Sequence, residues 1–161
     1  MRRFFLVFGA LAILTIGGGV VAMGILWSNG RALDSESQLF ADDTVIAVSS
    51  HWSKAELLKR ASPEFLAMLE AKPQDLDALF DDATIGLGPL ADYQGAKGQA
   101  FIAAVAGKGT IISAQYLARA RFQKGSAAIQ LVLQKIDGRW MVYGFYLKST
   151  AMMNNLVERS S

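Results

Sequence analysis

Leu131-Val132-Leu133-Gln134-Lys135-Ile136-Asp137-Gly138-Arg139-Trp140-Met141-Val142-Tyr143-Gly144-Phe145 is two runs of alternating side chains around a single Asp-Gly pair. Asp-Gly between such runs is a strong hairpin signal, because a two-residue β-turn of the primed kind needs positive φ at its central positions. Residues 127–136 and 139–148 are therefore predicted strands. In the second, Met141, Tyr143, Phe145 and Leu147 fall opposite Trp140, Val142, Gly144 and Tyr146. Both faces are bulky, which predicts a central strand covered on each side.

Working back from this hairpin, Lys124-Gly125-Ser126 turns the chain, and residues 111–123 alternate again. Gln115, Leu117, Arg119, Arg121 and Gln123 share one face, and Tyr116, Ala118, Ala120 and Phe122 the other. Gly107-Lys108-Gly109 is a turn, preceded by a strand over 99–106. Residues 92–98 (DYQGAKG) have turn chemistry, and residues 84–90 form a short glycine-interrupted segment.

Before residue 84 the period is helical. Leu39, Phe40, Val45, Ile46 and Val48 fit an amphipathic helix, and residues 28–38 read as a linker or the start of a helix. Ser53-Lys54-Ala55-Glu56 is a capping box ahead of Leu57 and Leu58. Ser62-Pro63 opens a third helix with a serine cap and a proline at the first helical position, and Lys72-Pro73 ends it. Leu76, Leu79 and Phe80 mark a fourth segment among Asp75, Asp77, Asp81 and Asp82. Those aspartates lack the spacing of a calcium loop and suit a solvated helix face. Helices followed by hairpin-linked strands give an α+β class, with helices packed on one face of a curved antiparallel sheet.

Phe4 to Trp27 carries no charged side chain, and Arg2 and Arg3 precede it. As a helix its 24 residues would reach about 36 Å, enough for a hydrocarbon core of about 30 Å. The apolar run is too long for a signal peptide, and its one small-x-small site, Ala10-Leu11-Ala12, lies mid-run. The expectation is an uncleaved transmembrane anchor over 1–27, cytoplasmic N-terminus and periplasmic domain, in contact with lipid through residues 4–27. Gly17, Gly18 and Ala22 have the small side chains that let two membrane helices approach closely. The organisation expected is anchor 1–27, linker 28–38, domain 39–150 and tail 151–161, with residues 151–159 as a terminal helix.

The net charge of +2 belongs to Arg2 and Arg3; after Trp27, 14 basic residues balance 14 acidic ones. A nucleic-acid binder needs a net basic footprint, so that class is excluded. The absence of cysteine excludes disulfides, thiol catalysis and thiolate metal sites. Charge is nevertheless segregated. Residues 32–92 hold 12 acidic and 4 basic side chains, whereas residues 93–150 hold 8 basic ones and Asp137 alone on the acidic side. Such a dipolar domain suits orientation against a charged partner or membrane surface.

The order of elements, the capped helices holding Trp52, Leu57, Leu58 and Phe65, and above all the wording of 131–145 resemble the nuclear-transport-factor-2-like (SnoaL-like, cystatin-like) superfamily. The resemblance spans roughly residues 40–150. It implies a conical half-barrel whose concave sheet face encloses a pocket, and membrane-anchored bacterial members that act in envelope assembly. It says little of activity, because one superfold hosts enzymes, carriers and assembly proteins.

Enzymes on that fold set a carboxylate or histidine base among tyrosines in an apolar pocket. Here the strand half offers Tyr93, Tyr116, Tyr143 and Tyr146 but only Asp137, which is committed to a turn. His51 precedes the capping box, as a surface or capping residue would. No catalytic set, metal site or cofactor is therefore assigned. Tyr116, Arg119, Arg121 and Trp140 are the candidates to line a pocket, the two arginines as paired forks for an anion. The function expected is a non-enzymatic interaction or scaffold subunit of a cell-envelope complex at the bacterial inner membrane. The alternatives are a binding module for a small apolar or anionic ligand, then a dehydratase or isomerase.

Overall fold

The computed structural model describes residues 30–149. The expected N-terminal anchor, the expected contact set Gly17, Gly18 and Ala22, and the tail expected to hold a terminal helix lie outside the described residues. Among the described residues four helices, α1 (Gly30–Ser49), α2 (Lys54–Arg60), α3 (Pro63–Ala71) and α4 (Pro73–Gly86), precede four strands. The strands, β1 (Leu90–Val105), β2 (Gly109–Phe122), β3 (Gly125–Ile136) and β4 (Arg139–Ser149), form one antiparallel sheet in sequence order.

Two expectations about class are corrected. No described helix is long and apolar enough to cross a membrane. The longest, α1, has 20 residues but carries Arg31, Asp34, Glu36, Asp42 and Asp43. The described residues form an α+β domain with helices on a four-stranded antiparallel sheet, and among them neither the membrane-spanning helix nor the half-barrel of the expected class is seen. The last strand is also not central. β4 is an edge, part of whose free side the α2–α3 junction closes: Ser62 N–H donates to the Val142 carbonyl at 2.8 Å, and Ala61 bridges Val142.

Local chemistry accounts for the helix boundaries. The Ser53 hydroxyl accepts from Glu56 N–H, and the Ser62 hydroxyl from Phe65 N–H, each satisfying a donor that the first helical turn leaves open. Pro73 ends α3 and begins α4, where its missing N–H costs nothing. Helix α4 continues to Gly86, through residues that read as an irregular segment. The start of α1 at Gly30 makes most of the expected linker helical. Its buried face is the expected apolar one only in part: Val45 and Val48 are buried and Phe40 packs on the core. Leu39 and Ile46 are 69 % and 47 % exposed, while Ser37, Ala41, Thr44, Val45 and Val48 are buried. The hydroxyls of Ser37, Thr44 and Ser49 donate to the carbonyls of Leu33, Phe40 and Val45, four residues earlier. They therefore enter the core with their polar atoms satisfied.

Residues 92–98, expected as a turn, belong to β1. The strand takes extra residues between Leu90 and Asp92 and between Tyr93 and Ala96, and Gly95 has φ +93°. Glycine and aspartate serve a β-bulge for the same reason they serve a turn. Asp42 on α1 holds the second bulge: one carboxylate oxygen accepts from the Tyr93 hydroxyl at 2.5 Å and from Ala96 N–H at 2.8 Å. Gln38 donates to the Ala96 carbonyl at 2.6 Å, and Asp34 accepts from Ala100 N–H at 2.7 Å. Asp34, Gln38 and Asp42 thus recur every fourth residue along α1 and satisfy backbone groups at Ala96 and Ala100 on the open edge of β1, a site that otherwise invites pairing with another chain.

β4 has a bulge too. Val132 pairs with Gly144 but Leu133 with Val142, so Tyr143 is the additional residue. Trp140 and Val142 point into the core before it, Phe145 and Leu147 after it, so the simple alternation predicted for this strand changes phase midway. The core gathers around Trp52, whose ring stacks on Phe122 at 5.1 Å and meets Phe80 edge-on at 6.3 Å. Its indole N–H donates to the Gly88 carbonyl at 2.6 Å. Asp137 and Gly138 both have positive φ, as the hairpin reading requires.

Candidate functional site

The candidate pocket residues are divided between two faces of the sheet. Along β2, Tyr116, Ala118, Ala120 and Phe122 are buried while Gln115, Leu117, Arg119 and Arg121 are exposed. Tyr116 therefore cannot line one wall with Arg119, because side chains an odd number of positions apart in a regular strand point to opposite faces. The alternation of β2 itself puts them on opposite faces.

Tyr116 is 2 % exposed. Its hydroxyl lies between Ser37 Oγ at 2.9 Å and the Asp34 carbonyl at 3.1 Å. Burial, with a smaller push from Asp34 and Asp42, raises its pKa, while the Ser37 hydrogen bond opposes this. The group docks α1 on the sheet. Trp140 is also a core residue. Its indole N–H sits beside the Glu36 carboxylate without closing a hydrogen bond, and Lys135 Nζ lies 5.7 Å from the ring centroid. Lys135 also bonds Glu36 at 2.5 Å, which holds the Glu36 carboxyl below its usual range. His51 is exposed in the turn between α1 and α2. Asp77 pairs with Lys54 at the surface.

The two arginines lie on the open face, beside residues the sequence did not single out. β-Pairing sets Arg119, Ala128 and Lys148 in one cross-strand row, and Asp92, Arg121 and Ser126 in another. The small side chains of Ala128 and Ser126 leave a gap between the long cations. The result is a shallow, open depression of about 470 Å³, lined by Asp92, Gln94, Arg119, Arg121, Ser126 and Lys148. The Arg121 guanidinium is 4.0 Å from the Asp92 carboxylate, with both side chains largely exposed, so the pair is weak and exchangeable. Lys148 was detectable only once the β2–β3 and β3–β4 registers were known.

Chemically this is a patch of three cations with one loosely held carboxylate, on a face that no described helix covers. It fits carboxylates presented by another surface, since guanidinium forks bind them two-pronged. No family model, curated protein or solved structure matches the chain.

Proposed function

We propose that this chain is a non-enzymatic interaction subunit of a cell-envelope protein complex. Its residues 4–27 meet membrane lipid at a bacterial inner membrane, and its domain lies on the periplasmic side. The domain is of the nuclear-transport-factor-2-like kind, a reading supported by helices packed on a four-stranded antiparallel sheet. One observation carries the interaction role: Arg119, Arg121 and Lys148 converge on the uncovered sheet face, while the acidic residues concentrate in the helical layer. The partner is a protein that presents an acidic segment to this face.

The rival reading, a small anion held in a pocket, draws on the same cations. A ligand site normally encloses most of its ligand, and this depression is open to solvent. Tyr116 and Trp140, which were to complete such a pocket, lie in the core instead.

The test is purification of the full-length protein in mild detergent, with identification of what travels with it. The double variant Arg119→Glu, Arg121→Glu should release the partner while leaving the circular dichroism spectrum and melting temperature unchanged. A partner retained in full by this variant would refute the sheet face as the docking surface.

A further inference from the structure

Between Lys97 and Arg119 the chain carries one charged side chain, Lys108. These residues form the distal part of the β1–β2 hairpin. Pairing of β2 with β3 stops at Ser113, so from Ile102↔Ile112 to Val105↔Gly109 the two strands pair only with each other. An isolated two-stranded ribbon is marginal in water unless it buries an apolar face. This one is apolar on both faces. Ile102, Ala104 and Ile112 continue the helix-covered side of the sheet, and Phe101, Ala103, Val105 and Ile111 the other. A helical layer on one side accounts for Ile112, which packs against the core, but not for the second group. Phe101 is 43 % exposed.

The ribbon's position indicates what it meets. The bonds from Asp34 to Ala100 N–H and from Asp42 to Ala96 N–H fix α1 antiparallel to β1. Gly30, where the chain enters the domain, is therefore at the ribbon end. Asp34 to Gly30 is about 6 Å of helix, while Ala100 to Val105 is about 17 Å of strand. The ribbon thus reaches roughly 10 Å past the start of α1. The charge-free residues 4–27 precede this point.

The geometry points to the β1–β2 ribbon as a second lipid contact, with Phe101, Ala103, Val105 and Ile111 resting on the headgroup–acyl boundary of the bilayer. This rests on the reading that residues 4–27 meet lipid. Lys108 sets the orientation. A ribbon entering tip first would carry its ammonium deepest, which is costly. Lying along the interface, the ribbon leaves Lys108 free to reach an anionic phosphate. The other charges at this end do not oppose an anionic surface. Asp34 is taken up by Ala100 N–H and Glu36 by Lys135, and Asp137 is flanked by Lys135 and Arg139.

Because the chain has no cysteine, Ala103→Cys, Ala104→Cys and Gln123→Cys each accept one environment-sensitive fluorophore. The full-length protein is placed in vesicles of phosphatidylethanolamine and phosphatidylglycerol. The label at 103 should emit further to the blue and be quenched by lipid-borne nitroxide, the label at 104 should respond less because it lies on the other face, and the label at 123 should stay unquenched. If the protein floats with the vesicles but aqueous iodide reaches 103 as freely as 123, the ribbon contact is wrong and the lipid contact of residues 4–27 stands. If the protein does not float, both fall. If 103 is shielded from both quenchers and labels on separate copies transfer energy, a second copy covers the ribbon and the inference is overturned.

Discussion

Gly98 is the position where the architecture is most exposed to a single methyl group. It pairs with Tyr116, and a Cβ added there would lie 1.8 Å from the Gln115 carbonyl oxygen, with Gln115 C and Tyr116 Cα each at 2.8 Å. All three are backbone atoms of β2, so no side chain can swing aside. Carbon–oxygen contact is comfortable at about 3.3 Å, and relief therefore needs the strands to part by about 1.5 Å. The flanking pairs Lys97↔Leu117 and Gln99↔Gln115 cannot keep hydrogen-bond geometry across such a gap. Two to three ladder bonds at about 1 kcal/mol each are at stake. The carboxylate bonds from Asp34 and Asp42 to the same strand add about 1.5–3 kcal/mol. Alanine recovers only about 0.4–1 kcal/mol through the unfolded chain. Gly98→Ala should therefore cost about 3–5 kcal/mol, a large share of a typical stability of about 5–15 kcal/mol. Gly30→Ala, with no atom within 4 Å of the new Cβ, should be neutral or slightly stabilising. Urea unfolding of the full chain in mild detergent, followed by tryptophan fluorescence, compares the two. A Gly98→Ala midpoint equal to the parent's would mean that β1 does not approach β2 this closely, and the register built on that contact would be wrong.

Asp42→Ala removes the acceptor for both Tyr93 and Ala96 N–H and should cost about 3 kcal/mol in the same assay; an effect below about 1 kcal/mol would show that the bulge holds without its staple. Tyr93 also sets an alkaline limit. Burial first, then the Asp42 carboxylate, raise its pKa well above the ordinary 10.0, so the folded state keeps a proton that the unfolded state releases. Its contribution is intact below about pH 10 and is lost as pH rises further; Tyr93→Phe should flatten the fall of the urea midpoint, with Tyr116 and Tyr146, raised mainly by burial, leaving a residual slope. Trp52→Phe loses the hydrogen bond to the buried Gly88 carbonyl and part of the stack on Phe122, and should lower stability by about 2–3 kcal/mol; an unchanged melting temperature would place the centre of the core elsewhere.

The sequence revealed those parts of the fold whose signals are local. Asp137-Gly138 needs positive φ wherever it occurs, and Ser53 and Ser62-Pro63 cap helices by bonds to residues three positions on. The alternation of β2 was readable because one face is buried without interruption. The bulges were not readable. A single additional residue at Tyr143 sends Phe145 and Leu147 to the face opposite their expected one, and nothing in the composition of residues 139–148 marks it. DYQGAKG is equally good turn and bulge; what separates the two is Asp42, fifty residues away. α1 misled for a related reason. Leu39 and Ile46 look like core residues, but Ser37, Thr44 and Ser49 can be buried at little cost because each hydroxyl is satisfied within its own helix.

Those same non-local bonds determine how the domain presents itself. Asp34, Gln38 and Asp42 attach α1 to the outer strand at intervals of one helical turn, which fixes the direction of the helix and the end of the sheet at which the chain enters. Were α1 reversed, Gly30 would lie at the end of the sheet that carries Arg119 and Arg121, and the apolar ribbon would point away from residues 4–27. As built, the sheet separates its two unusual surfaces. The ribbon, around Phe101 and Ile111, is at the entry end, and the cationic depression is at the other. Eight residues of β2 between Ile111 and Arg119 correspond to about 27 Å of strand. That distance exceeds about three screening lengths at physiological salt, so a bilayer at the ribbon does not occupy the electrostatics of the arginine patch. A lipid contact and a protein contact can then coexist on one small sheet.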